Sequence, residues 1–300
     1  MKFNQLWPLI RQTASAFIDD RAPSMGAALA YYTVFSMAPL LLIAIAVAGF
    51  VFGADAARGE IVSQLRSLMG EQGAQIVQTL LESARRPEDG ITATAIGALL
   101  LFVGATTVFA ELQASLDVIW RASVIAKPSG LWSVLRTRIV SFGVVLGIGF
   151  LLLVSLVLDA VLAALGKWWA PYFGAWQVFA SILNVLMGFA LVMVMFAMIY
   201  KLMPRAHIRW HDVWIGAAAT AVLFTVGKIL IGIYIGTSGV ASSFGAAGSM
   251  VVLLLWVYYS AQIFLLGAEF TWVYANTLGS RRPGETVAPT RARPHLVNAR

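Results

Sequence analysis

The chain has 300 residues and a formal net charge of +7, with 60% hydrophobic residues, 12% charged residues and no cysteine. Soluble domains carry about 25% charged residues, so this composition excludes a solvated globule and points to a membrane protein. The lack of cysteine excludes disulfides, thiolate nucleophiles and cysteine-based zinc or iron–sulfur sites.

Residues 3–21, FNQLWPLIRQTASAFIDDR, place Phe3, Leu6, Trp7, Ile10, Ala14, Phe17 and Ile18 at helical spacing. That pattern predicts an N-terminal helix lying in the membrane interface. A spanning helix needs about 20 apolar residues, each rising about 1.5 Å. Six segments meet this requirement, near 25–53, 91–119, 138–165, 176–203, 213–236 and 246–276. The expected fold is all-α, a polytopic membrane helical bundle of six transmembrane helices forming one domain over residues 1–278.

The first span opens with SMGAALAYYTVFSMAPLLL, residues 24–42. Ala46-Val47-Ala48 resembles a signal cleavage site, but Asp19 and Asp20 precede the apolar run. The site also lies beyond the usual range of about 15–30 residues, so the span is expected to be retained. Pro39 cannot donate to the carbonyl of Phe35 and predicts a kink. Ser36 can help satisfy the freed backbone groups. Ala28, Tyr32, Ser36 and Pro39 form one stripe expected to face the bundle interior. Tyr31 lies about 100° around the helix from Tyr32, so one tyrosine is expected to serve the interior and the other a neighbouring helix.

Loop 54–90 holds two amphipathic patterns, Ile61-Leu65-Leu68-Met69 and Ile76-Val77-Leu80-Leu81, separated by Gly70 and Gly73. They predict one or two short helices on the outer membrane face or capping the bundle. Further along, Glu111, Asp117, Asp159, Lys228 and Glu269 all fall inside predicted spans. Each charge would cost about 2.5–3.5 kcal/mol at a span centre. Asp117 is expected to pair with Arg121, four residues on. Asp159 and Lys228, both in the outer halves of their spans, form a candidate buried ion pair. Glu111 and Glu269, with Gln113 and Gln262 near them, either pack helices through hydrogen bonds or line a polar cavity. Gly143-x-x-x-Gly147 and Gly232-x-x-x-Gly236 mark expected close helix approaches. Residues 237–249, TSGVASSFGAAGS, read as a flexible outer loop or a partly unwound segment. The tail, 279–300, rich in Pro and Arg, is expected to be disordered.

Charge placement orients the bundle. Lys2, Arg11, Arg21, Arg121, Lys127, Arg136, Arg138, Lys201, Arg205, Arg209 and five tail arginines fall on one side. Arg58, Arg66, Arg85, Arg86 and Lys167 fall on the other. The richer side reads as cytoplasmic and carries both termini. Because the basic excess is distributed as a topology signal, no nucleic-acid partner is expected. His207, His211 and Asp212 form an HIRWHD sequence, but HExxH, G-x-S-x-G, P-loop and EF-hand patterns are missing. No enzyme activity, cofactor or metal site is expected.

Three runs carry a family resemblance: GAALAYYTVFSMAPLLL, GATTVFAELQASLDVIW, and YIGTSGVASSFGAAGSMVVLLLWVYYSAQIFLLGAEFTWVYA. Together they resemble the YihY/BrkB family of bacterial inner-membrane proteins over roughly residues 10–278. Positions matching its signature are Tyr31, Tyr32, Pro39, Glu111, Lys228, Trp256, Tyr258, Gly267 and Glu269. The resemblance implies a six-span protein of the bacterial cytoplasmic membrane. Members have been labelled ribonuclease BN, linked to serum resistance, or linked to export of lipid A precursors. The ribonuclease label lacks the clustered His and Asp residues such chemistry needs, since His207, His211 and His295 are the only histidines.

Two functions follow as expectations. A transporter or lipid translocator would bring Tyr31, Tyr32, Ser36, Pro39, Glu111, Gln262 and Glu269 to a cavity at membrane depth, with membrane lipids as partners. A non-transporting scaffold or envelope assembly factor would instead close the bundle and present a surface to a second copy or an envelope protein.

Overall fold

The computed structural model describes residues 6–83, 107–122, 176–238 and 248–281. All regular structure among them is helical: α1 (Leu6–Asp19), α2 (Ala22–Phe52), α3 (Ala54–Ser83), α4 (107–119), α5 (Trp176–Leu202), α6 (Trp210–Thr237) and α7 (Gly248–Thr277). By length and composition, Val185–Leu202, Trp210–Ile235 and Met250–Thr277 can each cross a membrane. Helices also occupy the expected first span and the described part of the second. The expected third span, with Gly143, Gly147 and Asp159, lies outside the described residues.

Chain reversals are set locally. Arg21 adopts a left-handed conformation (φ 56°) between α1 and α2, and Pro23 follows in the first turn of α2. There a missing N–H costs nothing. At the far end of α2 one residue, Gly53, makes the turn with φ 86° and ψ 143°, a region that only glycine occupies without strain.

The segment after Gly53 differs from expectation. It is one helix of 30 residues, continuous through Gly70 and Gly73. It runs back along α2 and onto α7. Ile61, Val77 and Leu81 bury against Ala30, Val34, Ile45, Leu253 and Val257. Each glycine costs about 1 kcal/mol in a helix interior, while each buried aliphatic side chain returns about 1.5–3 kcal/mol. Packing therefore wins over the two breaks. The opposite face stays polar, with Arg66 paired to Glu71 at 2.6 Å and Gln78 donating to Glu82 at 3.0 Å.

The tightest part of the interior lies where α5, α6 and α7 meet. Thr271 sits directly over Gly216, and Thr220 over Gly267, so α6 and α7 approach at glycine-on-threonine contacts. Both threonine hydroxyls donate back within their own helix, to Gly216 O at 2.7 Å and Gly267 O at 2.6 Å. Tyr200 of α5 reaches in, donating to Phe264 O at 2.7 Å, with Thr220 Oγ1 at 3.2 Å. Phe196 and Phe264 pack around its ring. Tyr200→Phe removes the second hydrogen bond to Phe264 O and the contact with Thr220, and is expected to cost about 1 kcal/mol, read as a lower unfolding midpoint in detergent. Gly232, by contrast, faces open space among the described residues.

Helix α1 packs Leu9 and Ala16 against Val273, beside Trp272 and Leu278 of the α7 end. Trp7, Ile10 and Ile18, which the spacing singled out as its apolar side, remain exposed. The docked side uses Leu9, Thr13 and Ala16 instead, and Thr13 saves its hydroxyl by donating to Leu9 O at 2.8 Å.

Candidate functional site

Antiparallel packing of α2 on α7 is registered at Gly26, whose missing side chain makes room for Gln262. Gln262 Nε2 lies 3.3 Å from Pro23 O. Two turns further along α7 is Glu269, which is 0% exposed. Among the described residues neither of its carboxylate oxygens meets a hydrogen-bond donor. The group it faces is another acid: the carboxyl of Asp20, from the α1–α2 turn, is within hydrogen-bonding reach. Asp20 Oδ2 is likewise buried without a donor. Among the described residues the cation beside this pair is Arg121, which stands 3.9 Å from Asp20 Oδ1. It forms no ion pair with Glu269 among the described residues. A buried carboxyl, Glu269, and a partly buried one, Asp20, thus lie beside one half-exposed guanidinium that pairs with Asp20 alone among the described residues.

Arg121 reaches this position because α4 ends at residue 119 and Arg121 itself is left-handed (φ 46°). The same turn overrides the expected Asp117–Arg121 pair, since the i, i+4 geometry exists only while the helix continues. Asp117 pairs instead with Arg205, whose Nε is 3.7 Å away and whose N–H donates at 2.8 Å. The Arg121 guanidinium lies 4.4 Å over the Trp272 ring, Arg281 lies 5.3 Å over Trp120, and Lys201 lies 5.5 Å over Trp210. Three cations held on indole faces, a ring at each, therefore lie at this end of the described helices.

Beside these cations, Asp212 is buried in the first turn of α6. It accepts from Ser280 Oγ at 2.5 Å and from Ser280 N at 3.3 Å. Arg281 also donates to His207 O. Residues 279–281 are thereby ordered, contrary to the expected start of a disordered tail, because a buried carboxylate requires donors. The remainder of that tail lies outside the described residues. Asp212→Ala is expected to release residues 278–281, seen as faster amide exchange there with little change in the α6–α7 interior. His211 is 74% exposed on its side chain, 3.6 Å from Asp212. No group of three metal-ligating side chains gathers among the described residues.

The other residues singled out by sequence do not gather around Glu269. Tyr31 is exposed and contacts Tyr32 and Phe35 through its ring. Ser36 is buried. Counting along α2 from Gly26 and along α7 from Gln262 puts Ser36 about 25 Å from Glu269 down the bundle axis. Tyr32 is about 20 Å away on the same count. Gln262 stands about 10 Å from Glu269, and Glu111 is half-buried on α4. Pro39 lies within the unbroken helix α2, where its side chain is outside the described set. Lys228 is half-buried on α6; its expected partner Asp159 is not described. Sequence reading passed over Asp20 as a site residue. The adjacent pair Asp19-Asp20 directly before a span was the available signal.

The profile of the family described as Virulence factor BrkB matches residues 13–291. A UPF0761 membrane protein of Tolumonas auensis is 28% identical, with 88% of this chain and 86% of that protein covered. A UPF0761 membrane protein of Pseudomonas aeruginosa is also 28% identical, but this chain spans only 62% of its length. One from Neisseria meningitidis serogroup B is 25% identical, again with 62% of its length covered. No solved structure matches.

Proposed function

The chain belongs to the Virulence factor BrkB family, and from that premise we propose that this integral membrane protein is a translocator of amphiphilic envelope lipids. In this reading it resides in the bacterial inner membrane with both termini cytoplasmic. Its cargo is a phospholipid or a lipid A precursor. One observation supports the reading above others: Glu269, within a helix able to cross a membrane, keeps a fully buried carboxylate that no donor satisfies. Ionisable groups at such depth are expensive and mark substrate or ion pathways. The indole-held cations at the same end suit an anionic headgroup at the membrane surface. Tyr31, Tyr32, Ser36, Glu111 and Gln262 would then mark successive points along a path, since they are distributed over the length of α2, α4 and α7.

The test is reconstitution in liposomes with labelled phospholipids and labelled lipid A precursor. Wild-type protein is expected to move at least one of them, and Glu269→Gln to slow it about tenfold, equivalent to about 1.4 kcal/mol in the barrier. No movement above protein-free liposomes across the panel would sink the proposal. The close glycine-on-threonine seam between α6 and α7 favours a second reading, a closed scaffold for a second copy or an envelope protein. Crosslinking in cells that yields a stoichiometric partner, with liposomes inert, would select it.

A further inference from the structure

Beyond lipid movement, we infer that Asp20 and Glu269 together form a binding site for one small monovalent cation, a proton or sodium, with Arg121 as the fixed countercharge. The two carboxyls approach each other with no donor between their buried oxygens. A pair of acceptors in that arrangement is held together only by something positive placed between them. Arg121 does not fill that role, because its ion pair is with the other oxygen of Asp20, at 3.9 Å, and its side chain is 56% exposed. Its guanidinium is committed to the face of Trp272.

Charge accounting sets the valence. Asp20 and Glu269 supply two negative charges and Arg121 one positive charge. Asp19, the remaining acid facing Glu269, is exposed and screened by water. Among the described residues one negative charge is left over at this site, which one monovalent cation neutralises and a divalent ion overshoots. Ser115 Oγ and Trp120 Nε1, on the segment that carries Arg121, are also buried without hydrogen-bond partners among the described residues. Gln262 is two turns away and is not a ligand of the same ion.

Location adds meaning. Asp20 belongs to the turn that joins α1 to α2, whereas Glu269 belongs to α7. A bound cation would tie the α1–α2 turn to α7, and its departure would leave two like charges pushing these elements apart. Occupancy can be measured without any transport, so this inference stands or falls separately from lipid movement.

The experiment uses the purified full-length chain in lipid nanodiscs. One arm follows the unfolding midpoint as sodium chloride replaces choline chloride at constant ionic strength, with potassium as comparison. The other arm records the infrared carbonyl band of protonated carboxyl groups. A sodium site predicts a midpoint that rises with the logarithm of sodium concentration and a response lost in Glu269→Gln. A proton site predicts a protonated-carboxyl band in wild type that vanishes in Glu269→Gln, with no sodium effect. Asp20→Asn, which alters a turn and leaves the span intact, carries the same test if Glu269→Gln fails to fold. The inference is overturned if wild type shows neither the band nor a sodium response, or if both variants respond as wild type does.

Discussion

Replacing Gly267 with valine is expected to abolish recovery of folded protein from the membrane. A Cβ at this position would fall well inside van der Waals contact of Thr220 Oγ1, and 2.7 Å from both Thr220 Cγ2 and Tyr200 Oη. Thr220 is β-branched and already bonded to Gly216 O, so it has no free rotamer into which to retreat. Tyr200 is pinned at its hydroxyl by Phe264 O. Overpacking a dense interior by a single carbon costs about 1–3 kcal/mol, and valine adds two more carbons where nothing can yield. Against a total stability of about 5–15 kcal/mol, that is enough to empty the folded state. Gly267→Ala should lose part of its stability and regain most of it when combined with Thr220→Ala. Size exclusion of detergent extracts and unfolding midpoints measure both effects. A Gly267→Val protein that elutes and melts like wild type would show that α6 and α7 do not approach as closely as described.

The second large effect is expected at Arg121. Arg121→Ala takes away the cation that, among the described residues, pairs with Asp20 and acts on Glu269, together with the stacking on Trp272. Removing one member of a fully buried pair costs about 3–5 kcal/mol. Because the Arg121 side chain is 56% exposed, solvent screening reduces this to about 1 kcal/mol or less. The more telling quantity is the coupling. In an Arg121→Ala background, Glu269→Gln should raise the unfolding midpoint, because it removes one of two uncompensated acids. Independent sites would give additive changes within about 0.5 kcal/mol. Additivity in this cycle would mean that Arg121 and Glu269 do not share a field.

Most helices were legible from the sequence because long apolar runs admit few alternatives: the described helices end within a few residues of the expected bounds near Gly53, Met203, Thr237 and Thr277. What misled was local punctuation weighed without tertiary partners. Gly70 and Gly73 look like a break, yet Val77 and Leu81 have a groove between α2 and α7 to fill. At the site, Glu269 stood out because a carboxylate within an apolar run is costly wherever it points. Asp20 and Arg121 did not, since each sits at a helix end where charge is ordinary. Their convergence depends on two left-handed residues, Arg21 and Arg121, and non-glycine residues of that conformation leave little trace in a sequence. The stripe Tyr32-Ser36-Pro39 was read as belonging with Glu269, but antiparallel packing of α2 on α7 carries the two apart.

The Asp212–Ser280 contact has a consequence for biosynthesis. Asp212 opens α6, yet its hydrogen-bond donors come from a residue 68 positions later. While the chain is being made, those donors do not exist until the segment just beyond α7 has been synthesised. A chain cut short after Thr277 would keep every apolar residue of α7 and lack the Ser280 donors that bind Asp212 to the far side of α7.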